Sequence, residues 1–441
     1  MTLADAVREA GVVGAGGAGF PTHVKLAAHA DTFIANGAEC EPCLVTDQWV
    51  TLANAEAILW AIRAAADAVG ARRRVLAVKN NYHPVIDRVR PLLKDGPEVE
   101  LFLLEDFYPA GDEHVTVHEV TGRVVPEGGI PPEVGVVVDN VATLLNVRRA
   151  AQGIPVTTRP ITVTGEVARP GVYEAPIGTS AAEVIAAAGG ALSRDVEVVE
   201  GGPMMGWLIP SLAQPVTKTT SGYLVLPDDH PVVRTRRIDT RTEMRRATAG
   251  CCQCRICTDL CPRALLGHRI APHLAMRAAL SAWDVPPELE AMSFLCSQCG
   301  VCDQWSCPLG LSPRRIFAEY RGRCAARKAT NPYRNRTQAL DSQKWARPPK
   351  PRLALRLGLS SYLLPHEGAI QRVPDPYEVV LPLKQHIGAP ARPTVKAGDR
   401  VRLGDVVGEI PEGALGARVH ASMDGVVSHV DGASVRIERA P

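Results

Sequence analysis

Nine of the chain's twelve cysteines fall into two short runs, eight of them at regular spacing, and no other feature restricts the fold so tightly. The first is Cys251-Cys252-Gln-Cys254-Arg-Ile-Cys257-Thr-Asp-Leu-Cys261-Pro262. With Cys252 set aside, its spacing is C-x2-C-x2-C-x3-C-P. The second, Cys296-Ser-Gln-Cys299-Gly-Val-Cys302-Asp-Gln-Trp-Ser-Cys307-Pro308, repeats it with one extra residue before the last cysteine. Three thiolates at two-residue gaps wrap a loop around one cubane, with backbone N–H groups facing its sulfurs. A fourth, followed by proline, points away and ligates the other cluster. The expected ligand sets are therefore crossed: Cys251, Cys254, Cys257 and Cys307 for one [4Fe–4S] cluster, and Cys296, Cys299, Cys302 and Cys261 for the other. Zinc would favour separated C-x2-C pairs or Cys/His mixtures instead. Cys252 and Cys324 have no cluster spacing.

A chain of 441 residues has room for several domains, and 46% hydrophobic residues suffice for their cores. The net charge of +2 gives no argument for nucleic acid. The best candidate for a membrane span, Ala53 to Ala71, carries Glu56, Arg63 and Asp67 and reads as an amphipathic helix. Asp5, Arg8 and Glu9 near the N-terminus do not form a secretory signal. The expectation is a cytoplasmic protein with no membrane insertion, in which clustered cysteines mean metal rather than disulfides.

Strands at Thr32–Ala35, Val75–Val78, Val99–Leu104 and Val134–Val138 alternate with helices at Leu52–Val69 and Pro84–Leu93, which predicts a Rossmann-like unit over residues 1–155. A β-grasp-like α+β module over 156–230 follows from strands at Ile161–Gly165 and Gly171–Tyr173 and a helix at Ala181–Ala188. Arg234–Arg246 reads as a basic connector. Residues 240–330 hold the cysteine runs with helices at His268–Ser281 and Pro287–Phe294, 331–365 form a basic linker, and 366–441 form a small all-β unit. The fold class is thus multidomain, α/β plus α+β.

The run Val13-Gly14-Ala-Gly16-Gly17-Ala-Gly19-Phe-Pro-Thr-His-Val-Lys25 lacks the Gly-Lys-Ser/Thr of a phosphate loop, and Gly-Phe-Pro interrupts a Rossmann fingerprint. Its glycines still let backbone approach a phosphate or a flavin ring. Asn36-Gly-Ala-Glu39-Cys40-Glu41-Pro42, Tyr108-Pro-Ala-Gly111-Asp112-Glu113 and Val138-Asp139-Asn140-Val-Ala-Thr143-Leu144 each follow a strand. They can converge on one sheet edge, where ligands bind. Cys40 and Cys43 make a C-x2-C beside them, for which packing is the preferred reading over a redox dithiol.

These runs resemble the FMN- and NADH-binding subunit of respiratory complex I. They resemble still more closely the C subunit of the Rnf complex and the cobalamin reductases of propanediol-utilisation microcompartments. Thr162–Gly190 looks like the soluble-ligand-binding β-grasp (SLBB) module of that group, and Gly201-Gly-Pro-Met-Met-Gly206 matches a motif seen there. The resemblance implies that Gly14, Gly16, Gly17, Gly19 and Lys25 line FMN and its phosphate, and that Asn36, Asn140 and Thr143 hold the flavin. It implies that Glu39, Glu41, Asp112 and Glu113 face the flavin edge or the nicotinamide nucleotide, with Glu39, Glu41 and Glu113 as catalytic candidates, and that Tyr108 and Gly111 lie near the cofactor.

The last domain, with Leu381-Pro-Leu-Lys384-Gln-His386, Gly398-Asp399 and Met423-Asp424-Gly425, looks like a barrel-sandwich hybrid. Met423-Asp424 stands where a carrier domain has Met-Lys, so no swinging arm is expected. This unit comes first in the Rnf protein and last here, as in the corrinoid reductases. The expected activity is oxidation of NADH through FMN and two [4Fe–4S] clusters, with a corrinoid or an adenosyltransferase as acceptor and microcompartment shell proteins as possible neighbours. The alternatives are an Rnf-type protein docking on a membrane complex, and an electron relay with a degenerate nucleotide site.

Overall fold

A computed structural model describes residues 1–94, 98–279 and 285–439. Its first sheet is four parallel strands, β1 Thr32–Asn36, β2 Arg73–Lys79, β3 Glu100–Leu104 and β4 Val136–Asn140, in the order β3-β2-β1-β4. Interior β1 reads Thr-Phe-Ile-Ala-Asn, with Phe33, Ile34 and Ala35 all fully buried because both faces of the sheet are covered. Ile58, Leu59, Ile62 and Val69 of the helix Ala55–Val69 are buried on one side. Each such aliphatic side chain contributes about 1.5–3 kcal/mol. Gly70, in the left-handed conformation at φ 74°, ends that helix. A separate helix, Thr46–Ala53, precedes it; the predicted single helix from Leu52 is two helices meeting at Asn54.

The second sheet mixes directions: β5 Thr158–Gly165, β6 Gly171–Pro176, β7 Val196–Glu200, β8 Trp207–Leu208 and β9 Gly222–Pro227, with β10 Gln371–Arg372 added at its edge from the far end of the chain. The predicted basic connector is helical instead, as Pro231–Arg237 and Thr240–Gly250, capped by His230 and Asp239. In the cysteine region, the helix expected over His268–Ser281 is found at Pro272–Ala278; positions 280 and 281 lie outside the described residues. The 331–365 stretch contains the helix Lys350–Arg356 and lies along the first domain, where Tyr108 N–H donates to Pro348 and Arg347 pairs with Glu119 at 2.7 Å. The C-terminal strands form two small antiparallel sheets, and Val379, Leu381 and Ile437 join the same apolar core as the first domain. Among the described residues no helix is long and apolar enough to cross a membrane.

Candidate functional site

In the parallel sheet the chain order reverses between β1 and β4, which opens a crevice beyond their carboxyl ends. Asn36 ends β1 and Asn140 ends β4. The glycine loop lies over that crevice. Gly14 N–H donates to Phe20 at 2.8 Å and closes the loop, and Ala15 N–H donates to Thr143 Oγ1 at 2.8 Å. Gly16 and Gly17 form an exposed tip, with Gly17 at φ +104° and open space where a side chain would stand. Asn140 caps the helix Val141–Ala151 through Ala142 N–H and donates to Asp47 at 2.6 Å; Asp47 N–H in turn donates to Glu39 at 2.9 Å. Burial raises the Glu39 and Asp47 carboxyls above the usual range, and their proximity raises Glu39 further.

Beneath the loop is Arg159, a residue no sequence motif singles out. It is 3% exposed, donates to Ala15 and Thr220 at 2.6 and 2.7 Å, and keeps Nη1 buried without a hydrogen-bond partner. Asp47 and Arg159 belong to no motif, so only the fold brings them here. Asp139 does lie in a motif, the run that ends β4. Its buried carboxyl, pushed up to about 6 by burial, lies 3.5 Å from Lys25.

Several expected cofactor residues are committed to protein partners. Lys25 Nζ donates to Glu113 at 2.9 Å and to the Val138 carbonyl at 2.7 Å, so these two predicted residues pair with each other. Burial opposes the Lys25 charge, but Asp139 and Glu113 outweigh it and hold its pKa above the usual value. Asn36 donates to the Gly111 carbonyl at 2.9 Å. Gly19 sits at φ +67°, where a Cβ would stand 2.9 Å from Thr219 and 3.2 Å from the His386 backbone; packing between modules explains that glycine. Glu41 differs most from expectation. Its carboxylate accepts from Met204 and Met205 N–H at 2.9 and 2.8 Å, because the Gly201–Gly206 turn folds around it. At Gly202 any Cβ would collide with that carboxylate.

Tyr108 and Asp112 turn towards the cysteine region rather than a nucleotide. Tyr108 is fully buried and its hydroxyl donates to the Cys299 carbonyl at 2.6 Å. Asp112 caps the helix Glu113–Thr121 and pairs with Arg263 at 2.6 Å. Burial pushes the Asp112 carboxyl up, but Arg263 more than offsets this and holds it below the usual range.

The cysteines rim two cavities. Cys261, Cys296, Cys299 and Cys302 line one; Cys251, Cys254, Cys257 and Cys307 line the other, with Cys252 also on its wall. The two runs share one backbone device. Gln253 and Arg255 flank Cys254 at positive φ, as Gln298 and Gly300 flank Cys299. Left-handed residues cost energy where they are not glycine, and such strain clusters at functional sites. The side-chain amides of Gln253 and Gln298 reach the first sulfur of their own run at 3.2 and 3.3 Å. The second run's extra residue is absorbed by a π-helical turn, Val301–Ser306, where the first run has an α turn, Ile256–Asp259. Burial pushes the Cys257 thiol up to about 12 and Cys261 to about 11. Iron binding to these groups has to drive off their protons. Among the described residues no three His, Cys, Asp or Glu side chains converge as a single metal ion requires. Two rims of four sulfurs around open space suit cubanes.

The first cavity is the more enclosed of the two, with Cys261, Cys299 and Cys302 buried; the second opens at Cys252 and Cys254, both exposed. Cys40 and Cys43 are held protonated by burial, at about 11 and 12. The glycine loop suits a phosphorylated flavin: exposed backbone at the tip, and beneath it a buried guanidinium with one donor left over.

The chain matches the Nuo51 FMN-binding domain over residues 7–149, the SLBB domain over 160–208, a 4Fe-4S dicluster domain over 250–312 and the RnfC barrel sandwich hybrid domain over 364–439. The cobalamin reductase PduS of Salmonella typhimurium is 46% identical over 439 residues, 99% of this chain and 96% of that one. PduS of Citrobacter freundii is 46% identical over 442 residues, 100% and 97%. The C subunit of the ion-translocating oxidoreductase complex from Citrobacter koseri is 35% identical over 271 residues, 60% of this chain and 37% of that one.

Proposed function

The chain belongs to the family of the PduS cobalamin reductases, and on that premise we propose that it oxidises NADH and passes the electrons one at a time to a corrinoid. Bound FMN and two [4Fe–4S] clusters supply the conversion from a two-electron donor to a one-electron acceptor. NADH leaves as NAD⁺ and a proton with two electrons released, enough to take two cobalt(III) corrinoids to cobalt(II), or one to cobalt(I). The observation that carries this reading is the pair of four-sulfur rims, one of which is joined to the flavin-type domain through Tyr108–Cys299 and Asp112–Arg263.

In this reading Gly16 and Gly17 present backbone to the flavin phosphate, Gly14 and Thr143 hold the loop in place, Asn140 fixes the helix start beneath it, and Arg159 offers its remaining donor. Glu39 and Asp47 keep the crevice polar, and Glu113 neutralises Lys25. Glu41 fixes the SLBB module. The crossed sets Cys251, Cys254, Cys257, Cys307 and Cys261, Cys296, Cys299, Cys302 hold the clusters. The family resemblance also supports a cytoplasmic place in or against a microcompartment, with shell proteins as neighbours and an adenosyltransferase taking up the reduced corrinoid. Anaerobically purified protein is expected to carry about eight iron atoms and one flavin, bleached by NADH, and to reduce aquacobalamin at NADH's expense. A flavin- and iron-loaded protein that bleaches with NADH yet leaves every corrinoid oxidised would refute the acceptor.

A further inference from the structure

Two basic stretches, far apart in the chain, meet in a groove of about 320 Å³. Arg236 and Arg246 come from one; Arg314, Arg315 and Arg356 from the other. The groove borders both cluster cavities. Cys307 is shared with the open one, and Arg314 with the enclosed one. Arg356 donates to the Cys307 and Gln304 carbonyls at 3.3 and 3.1 Å, so its guanidinium lies against the backbone of an expected cluster ligand.

Two carboxylates also line the groove, and each is spent. Glu243 accepts from Arg246 at 2.8 Å and from Ser312 N–H at 2.6 Å; Asp303 pairs with Arg314 at 3.1 Å and accepts from Ser312 Oγ at 2.8 Å. Among the described residues these are the groove's ion pairs. Arg236 is spent on the Gly206, Val232 and Pro203 carbonyls, which leaves Arg315 and Arg356 lining the space with no carboxylate in ion-pair contact. Arg315 Nε is buried without a hydrogen-bond partner, while its Nη2 donates to Thr235 at 2.9 Å. A concave wall of one sign concentrates its field on whatever enters, and guanidinium is the side chain best matched to a phosphate. The groove's size is that of a small-molecule site rather than a flat protein contact.

We propose that this groove binds the phosphate of the electron acceptor and holds that acceptor beside the Cys307 cluster. The proposal rests on the corrinoid reading above. It names the acceptor's phosphodiester, in the nucleotide loop of a complete cobalamin, as the recognised group, with the corrin ring at the groove's mouth. A role limited to balancing the clusters' charge is a different claim, because it predicts equal effects on every acceptor.

The experiment uses the full-length anaerobic holoprotein, with iron, flavin and melting temperature checked for each variant. Equilibrium binding to the oxidised protein is measured for aquacobalamin and for cobinamide, which has the same ring but no phosphodiester. The unaltered protein is expected to prefer cobalamin about tenfold, some 1.4 kcal/mol, and inorganic pyrophosphate is expected to compete. Arg315→Gln with Arg356→Gln should abolish both the preference and the competition while leaving cobinamide binding in place. Arg356→Gln alone, an exposed position, serves if the double variant loses iron. Equal binding of the two corrinoids by the unaltered protein overturns the proposal, and so does a preference that survives the substitutions. Equal losses for both corrinoids overturn it in favour of charge balance, and competition by an acidic protein but not by pyrophosphate overturns it in favour of a protein partner. Failure of the underlying reading looks different: hexaammineruthenium(III) is reduced with NADH and no corrinoid is, while the arginines still bind pyrophosphate.

Discussion

Two backbone amides, those of Met204 and Met205, hold both carboxylate oxygens of Glu41, whose pKa burial keeps above the usual range. Leaving a buried N–H unpaired costs more than the hydrogen bond itself contributes. Glu41→Ala is therefore expected to destabilise the protein by about 2 kcal/mol, read from chemical unfolding. The rate of NADH oxidation by the surviving folded protein with hexaammineruthenium(III) should change little. A catalytic carboxylate would behave in reverse, with stability intact and turnover lost. The acid-rich run around Glu41 is legible as a motif, but the partner that decides its role lies 163 positions away in a turn of another module. No local pattern in the run carries that information. The same holds for Arg159, whose neighbours Ala15, Asp47 and Glu39 assemble only when the second sheet packs on the first.

At the scale of elements, the first domain, the SLBB module and the barrel-sandwich meet at a joint built on Lys218, His386 and His420. Lys218 Nζ donates to the Gly11 and Arg418 carbonyls, and His386 Nε2 accepts from Ala417 N–H at 3.0 Å. Burial, reinforced by Lys218, pushes His386 down to about 4 and His420 down to about 3. Above pH 6.5 both rings are neutral, folded or unfolded. As pH falls below 6.5 the unfolded chain takes up protons that the folded joint refuses, so stability is lost towards pH 4. The double substitution His386→Gln, His420→Gln removes that linkage. Its stability relative to the unaltered protein should improve by about 1.4 kcal/mol per pH unit for each histidine replaced, read from urea midpoints at about pH 7 and about pH 5. A constant difference would dismiss the joint as an acid-sensitive element. The strands β1 and β2 and the helix Ala55–Val69 are legible because burial imposes their period on the sequence. The helices Pro231–Arg237 and Thr240–Gly250 are not, since their faces are largely arginine and threonine and little apolar periodicity remains. The cysteine spacing is legible to the residue, because a cubane dictates it, while the π turn that accommodates the extra residue is visible only in space.

Across the whole molecule, the two cysteine rims are not equivalent. The rim of Cys261, Cys296, Cys299 and Cys302 is the more enclosed and is joined to the flavin-type domain by Tyr108 and Arg263. The rim of Cys251, Cys254, Cys257 and Cys307 is open at its first loop and borders the arginine groove. An electron entering from the glycine-loop domain is therefore expected to meet the enclosed centre first and leave by the open one. The order is testable because each rim can be broken separately. Cys254→Ser should lower iron from about eight to about four per chain, keep an NADH-reducible cluster signal at low temperature, and abolish corrinoid reduction. Cys302→Ser should lose the same amount of iron, but its surviving cluster should stay oxidised with NADH and become reducible only by a small diffusible reductant such as dithionite. If NADH reduces the surviving cluster of Cys302→Ser as fast as that of Cys254→Ser, the electrons do not run in series through the enclosed centre. The contacts of Tyr108 and Asp112 would then be supports of the fold and not part of the route.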